Sequence, residues 1–261
     1  MTVSDLLFPI IMLPRELTNL YVNVWLISGP LGQGLCKLVH FLASVSSFVS
    51  IQSLVLIAVD RFGAVVFPLR SPLISSKLCP FFMLATWIVA IAVGWPNLFF
   101  QIVKYADGVV YCTMHSSEAF GESSSEVNYF LSLYILSFYI PTALLIILYS
   151  IIVIKLKTQK IPGEQSNNAE EQRAKRNRNV LKMAIAIVVV FLLCWIPLSI
   201  TYLLLMFERD RWCGDIRLFY EIVYLMAVSN SAINPSICFI FSGNYRQGLK
   251  RLLKCFNAAQ Q

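Results

Sequence analysis

Residues 183 to 207 read MAIAIVVVFLLCWIPLSITYLLLMF, 25 positions without an Asp, Glu, Lys or Arg. At about 1.5 Å of rise per residue, a helix of that length crosses the roughly 30 Å hydrocarbon core of a bilayer. Backbone amides in lipid must be satisfied within the segment, and the Leu, Ile, Val and Phe run lacks the alternation of a barrel strand, so the stretch predicts a helix. Four further stretches are equally free of charge: 38–59, 78–103, 127–154 and 222–242. A sixth, Met1 to about Tyr21, is apolar apart from Asp5 until Arg15. It has no basic leading region and carries Pro9, which makes a secretory signal a weak reading. A membrane helix whose upstream sequence is missing fits better. The expected bundle has spans at about 1–21, 36–60, 78–103, 127–154, 180–207 and 217–242, followed by a tail over 243–261.

Composition agrees with an all-α membrane protein. Of 261 residues 57% are apolar and 13% charged, too few charges to coat a soluble globule of this size. The formal charge of +7 does not point to nucleic acid, because the basic residues lie between apolar runs, where anionic lipid headgroups are the nearer partner. Fifteen of the 21 Lys and Arg residues fall in the connections 60–77, 155–182 and 243–261, which makes that side cytosolic and puts the C-terminus inside. With six crossings the N-terminus is inside too.

The seven cysteines contain no Cys-x-x-Cys pair, so neither a zinc module nor a dense disulfide framework fits. No Gly-x-Ser-x-Gly, His-Glu-x-x-His or phosphate-binding loop occurs, and His40 and His115 lack companions at ligand spacing; an enzyme is a poor reading. On the outer side, Ile102 to Met114 reads as two short β runs around Asp107-Gly108, a dipeptide suited to a tight turn. Cys112 in that hairpin and Cys36 at the outer start of the second span both face an oxidising compartment. They are read either as a bridge tying the hairpin to the bundle or as two free buried thiols. In the tail, Tyr245, Leu249, Leu252, Leu253 and Phe256 share one helical face opposite Arg246, Lys250, Arg251 and Lys254. That spacing describes a helix on the inner membrane surface with Cys255 placed for palmitoylation, against a merely solvated basic tail.

Polar residues inside the apolar spans are costly, and they mark either interhelical bonds or a site. Asp5, Ser50, Asn230, Ser231 and Asn234 are the candidates. Asp60-Arg61 at the inner end of the second span reads alone as a positive-inside anchor. Pro96, Pro141, Pro197 and Pro235 each remove a backbone hydrogen bond and can kink their helix.

Taken in order, these features resemble the rhodopsin-like (class A) G-protein-coupled receptors, and in particular those for neuropeptides. The matching strings are Ser4-Asp5-Leu6-Leu7, Trp25 before Cys36, Asp60-Arg61-Phe62, Trp87, Cys112, Pro141 with Tyr149, Phe191-x-x-Cys194-Trp195-x-Pro197, and Asn234-Pro235 before Cys238. The family has seven helices, so the six spans here correspond to helices two to seven. Two departures matter: Cys238 stands where the family has the tyrosine of its last motif, and Asn177 where some members carry a Glu that pairs with the arginine of Asp60-Arg61.

The resemblance implies a plasma-membrane receptor that passes binding of an extracellular ligand to a heterotrimeric G protein. Arg61 would reach the Gα subunit once the helix carrying Pro197 swings outward. Trp195, Phe191, Ile51 and Pro141 would form the packed switch, and Asp5, Ser50, Asn230, Ser231 and Asn234 an allosteric sodium site, with no other cofactor. Ala43 stands where amine receptors carry an Asp, which disfavours a monoamine, and Ser47 lies one turn below it. The hairpin resembles that of peptide receptors. Glu16, Tyr202, Glu221 and Tyr224 would line the upper pocket and take a basic or amidated peptide end, although Glu16 and Glu221 are equally readable as helix-end residues in headgroups. The competing reading is a truncated, non-signalling membrane protein that misfolds or pairs with complete receptors. A small transporter is disfavoured, since the asymmetric loops show no paired halves.

Overall fold

The computed structural model describes residues 2–22, 24–67, 75, 77–106, 108–114, 123–158, 168–207, 216–241 and 247–248. Helices dominate: α1 (Thr2–Val22), α2 (Gly29–Val66), α3 (Cys79–Gly94), a single turn α4 (Asn97–Phe100), α5 (Ser123–Tyr134), α6 (Ile140–Thr158), α7 (Asn168–Phe207) and α8 (Ile216–Phe241). The π-helical turn Ile135–Tyr139 joins α5 to α6, and two strands, β1 (Gln101–Ala106) and β2 (Val109–Met114), form a hairpin. Four segments are long and apolar enough to cross a membrane among the described residues: Gly29–Val66, Cys79–Phe100, Leu131–Lys155 and Arg178–Leu204. α1 and α8, of 21 and 26 residues, pack against them and bury Asp5, Glu16 and Glu221.

The helices outrun the spans expected from charge-free runs. α2 has 38 residues and α7 has 40, so at about 1.5 Å per residue each is close to 60 Å long, nearly twice the hydrocarbon thickness. Lack of charge reports where lipid begins, whereas the helix continues for as long as its backbone bonds do. α3 shows the lipid-facing side most plainly: Phe81, Leu84 and Ile88 are 59–65% exposed. A continuous apolar face of that kind belongs against lipid tails.

Three apolar clusters fill the interior. The largest joins α2, the π turn, α6, α7 and α8 through Ile51, Leu54, Phe138, Leu145, Tyr149, Ile187, Phe191 and Ile237. A second joins α1, α2, α7 and α8 through Phe8, Met12, Ala43, Leu198 and Tyr224. The third packs Val45, Phe48 and Val49 of α2 on Ala90 of α3. There Gly94 permits close approach, because a β-carbon on it would sit 2.9 Å from Cγ2 of Val45.

Pro141 has no amide to give to the carbonyl four residues back, and immediately before it the chain widens into the π turn, where Ile140 N donates to Ile135 O. Pro197 likewise breaks the ladder inside α7. Nearby hydroxyls bond the adjacent carbonyls: Thr201 Oγ1 donates to Pro197 O at 2.8 Å, and Tyr139 Oη on the π turn donates to Ser199 O at 3.2 Å.

The hairpin lies across the outer end of α2. Its register pairs Val103 with Cys112, and Gly108 takes a left-handed φ of 75° at the turn. The Cys36–Cys112 disulfide is formed, so the bridged reading of these cysteines holds. Gln33 reinforces it from both ends of one amide: its Nε2 donates to Gln101 O at 3.0 Å and its Oε1 accepts from Val103 N at 2.8 Å. The expected tail helix over 243–261, with Cys255, falls outside the described residues apart from 247–248, and Cys213 lies outside them too.

The Cys36–Cys112 bridge closes a separation of 76 residues, for which loop-closure entropy sets a ceiling of about 4 kcal/mol, because membrane insertion already restrains both ends. Replacing both cysteines by Ala should therefore reduce the amount of folded protein at the cell surface, measured by flow cytometry, more than Gln33→Ala does. Gly94→Leu should lower the melting temperature of the detergent-solubilised protein by several degrees, since the clash falls on a packed Val45 rather than on lipid.

Candidate functional site

Beneath the hairpin lies a cavity of about 540 Å3, walled by α1, α2, α5, the π turn, α7 and α8. Its floor is aromatic. Trp195 sits 5.7 Å from Phe8, 6.2 Å from Phe138 and 6.0 Å from Phe191, ring centre to ring centre, and Ile51 lies beside them, 1% exposed. The 3.6-residue repeat brings this about: Phe191, Trp195, Leu198 and Tyr202 lie three or four residues apart along one face of α7 and all reach the cavity. Higher up, Tyr202 and Tyr220 share a hydrogen bond of 3.1 Å between hydroxyls, and Tyr224 adjoins Tyr220 at 5.9 Å.

Of the residues expected to bind ligand, Ala43, Ser47, Tyr202 and Tyr224 line this cavity. Glu16 and Glu221 stand behind it, 2% and 4% exposed. Arg15 Nη1 donates to Glu16 Oε1 at 3.0 Å. Arg15 itself lines the cavity, as do His40 and Gln101, none of which stood out in the sequence. His40 Nδ1 donates to Cys36 O at 2.8 Å. Gln101 is 6% exposed, and its Oε1 has no hydrogen-bond partner among the described residues.

Below the aromatic floor is a polar cluster. Asp5 is 2% exposed; Ser50 Oγ donates to its Oδ1 at 2.6 Å and Asn234 Nδ2 to its Oδ2 at 3.3 Å. Three helices, α1, α2 and α8, thereby meet at one carboxylate. Asn230 and Ser231 are also buried on α8, and the Oδ1 atoms of Asn230 and Asn234 find no partner among the described residues. The five polar residues singled out in the sequence all lie in the buried interior, with Asp5, Ser50 and Asn234 directly bonded.

At the opposite end of α2 from the cavity, Arg61 Nη2 is 2.7 Å from Asp60 Oδ2, each side chain one third exposed. Tyr149 on α6 is buried in the largest cluster, and its hydroxyl has no hydrogen-bond partner among the described residues. Pro197 lies inside α7, two residues beyond Trp195, and Pro141 follows the π turn. Pro235 lies within α8, but its side chain, like those of Asn177 and Cys238, is outside the description.

Arg15 was hard to single out because an arginine near a helix end ordinarily reaches for headgroups. The one available signal was its adjacency to Glu16, since neighbours on a helix point about 100° apart and cannot both face lipid comfortably.

A sequence profile described as "7 transmembrane receptor (rhodopsin family)" matches residues 1–237. The RYamide receptor of Drosophila melanogaster is 29% identical over 97% of this chain and 54% of its own length. Neuropeptide receptor 22 of Caenorhabditis elegans is 31% identical over 98% of the chain and 62% of its own length. The substance-K receptor of Bos taurus is 26% identical over 89% and 59%. The chain thus spans between half and two thirds of the length of these relatives. A match running through nearly all six long helical segments shows that the chain belongs to the 7 transmembrane receptor (rhodopsin) family.

Proposed function

We propose that the protein is a plasma-membrane receptor for an extracellular peptide, coupled through its cytosolic face to a heterotrimeric G protein. The observation that carries this reading is continuity of packing. The cavity floor at Trp195 and Phe191 is part of the same apolar cluster that extends through Ile51, Leu145 and Tyr149 to Phe62, the chain neighbour of Arg61 on α2. A ligand pressing on that floor acts on a tightly packed core, and such cores repack in discrete steps rather than deform. The step supported here is rotation of α7 about Pro197, which would draw its inner end from α6 and free the Arg61 side chain for a Gα subunit. A ligand drives it only to the extent of its differential affinity for the two packings.

Peptide is favoured over monoamine for two reasons. Ala43 offers no counter-ion for an ammonium, and the relatives named above are RYamide, neuropeptide and substance-K receptors. The basic loops support a cytosolic C-terminus in contact with anionic lipid. Membership of a receptor family assigns signalling rather than catalysis.

The polar cluster fits a hard monovalent cation. It presents the Asp5 carboxylate, the Ser50 hydroxyl and two buried amide oxygens with no partner among the described residues, and oxygen donors are what such ions take. Sodium held there would bridge α1, α2 and α8 and stabilise the inactive packing.

Cells expressing the receptor should respond to a peptide agonist with G-protein nucleotide exchange. Arg61→Ala should abolish that response while agonist affinity, read by radioligand binding, stays within a few-fold; equal loss of both would sink the assigned role. Asp5→Asn should remove the sodium dependence of agonist affinity, a shift of roughly tenfold on the scale of allosteric couplings of about 1–3 kcal/mol.

A further inference from the structure

Cys36, His40 and Cys112 meet where α2 joins the hairpin. Cys36 and His40 lie one helical turn apart on α2, and Cys112 arrives on β2 from 72 positions beyond His40. The ligand-type atoms of the three all fall within 4.8 Å of one another, with His40 Nδ1 3.7 Å from Cys112 Sγ. Tetrahedral zinc holds sulfur at about 2.3 Å and nitrogen at about 2.0–2.1 Å, which spaces a bound sulfur and nitrogen about 3.5 Å apart and two sulfurs about 3.8 Å. The nitrogen-to-sulfur distance is therefore already close to that of a metal site. What withholds such a site is the bond between the sulfurs, because the metal ligand is a thiolate and a disulfide sulfur is not one.

We propose that opening the Cys36–Cys112 bridge converts the base of the hairpin into a two-cysteine, one-histidine site for zinc, so that one staple replaces another. The inference concerns how the hairpin is anchored and is independent of what the cavity binds. Two equivalents of a low-molecular-weight thiol, reaching Cys112 through the cavity that it lines, supply two electrons and two protons to the sulfur–sulfur bond and leave as their own disulfide. Zinc then takes both sulfurs as thiolates, and their two protons pass to solvent. With the Cα atoms 5.7 Å apart, rotation about the two Cα–Cβ bonds parts the sulfurs to metal-binding distance without moving α2 or β2. His40 at present donates from Nδ1 to Cys36 O at 2.8 Å. On binding through Nδ1 its ring proton moves to Nε2, and the Cys36 carbonyl keeps its backbone donor in the α2 ladder. Cys36 is fully buried whereas His40 and Cys112 line the cavity, so the fourth coordination position opens on the cavity and is left to water. The hairpin stays pinned in either state, but the zinc form adds an open metal position to the cavity wall.

The test uses the purified chain in detergent, either as isolated or reduced with dithiothreitol and desalted without oxygen, titrated with cobalt(II) as a coloured stand-in for zinc. The reduced protein should develop the near-ultraviolet thiolate-to-cobalt band and the visible bands of a tetrahedral centre, and zinc should abolish both. The oxidised protein should show neither. Zinc should raise the melting temperature of the reduced protein by roughly 5 °C and leave that of the oxidised protein where it is. His40→Ala and the larger His40→Gln should each weaken zinc binding by roughly tenfold or more, as befits loss of one of three protein ligands. A variant with the other five cysteines replaced by Ser should keep the bands, and Cys36→Ser with Cys112→Ser should lose them. Bands that survive the latter pair come from other thiols and overturn the inference. Bands and affinity untouched by both His40 variants overturn it too, as does a reduced protein with no bands at all. All three results leave the receptor reading intact.

Discussion

Lipid offers no hydrogen bonds, and every polar atom placed at membrane depth must be answered from within the protein. Asp5 shows the constraint at its sharpest. Its carboxylate, 2% exposed, can exist in this bundle only because Ser50 and Asn234 donate to it from two other helices. The same demand turns Glu16, Glu221, Asn230 and Ser231 inward and leaves the outer faces of α3 and α6 to Phe, Leu and Ile. The bundle is therefore assembled around its polar residues as much as around its apolar core.

From this follows a layered interior. The disulfide and Gln33 fix the hairpin over the outer end of α2. Beneath it come the tyrosine-rich walls of the cavity, then the Trp195 floor, then the Asp5 cluster, and at the far end of α2 the Asp60–Arg61 pair. The layers share side chains. Ile51 belongs to the cavity and to the large cluster, and Phe8 to the cavity and to the cluster joining α1 to α8. A change in any layer is thereby felt in the next, which is the physical requirement for a signal to cross the membrane without a moving ligand.

Two breaks in helical regularity sit where motion would need them. Pro141 and the π turn loosen the α5–α6 segment, and Pro197 loosens α7, while Tyr139 ties the two together through the Ser199 carbonyl. A helix missing a backbone bond bends at lower cost than an intact one, and here a side-chain bond links the two breaks.

Much of this was legible in the linear chain. Charge-free length alone marks the spans, because burial of the backbone in lipid leaves a helix as the solution, and Asp107-Gly108 announces its hairpin through the conformational freedom of two residues. The buried polar set could be picked out because a charge or amide inside an apolar run has no local excuse. Helix ends were less legible: α2 and α7 run on past the lipid boundary, where composition stops reporting on the backbone. What the chain could not show is which side of each helix faces which neighbour. The sequence reading put Glu16 in the cavity wall and passed over Arg15, and only the packing of α1 against α8 put the acid behind and the guanidinium in front. The sequence by itself determined that the protein is a bundle of membrane helices with polar residues in its interior, since hydropathy and chain length are local quantities. The tertiary structure alone decided the sign of the charge that the cavity presents, because that depends on helix rotation, and rotation is settled by contacts between residues hundreds of positions apart.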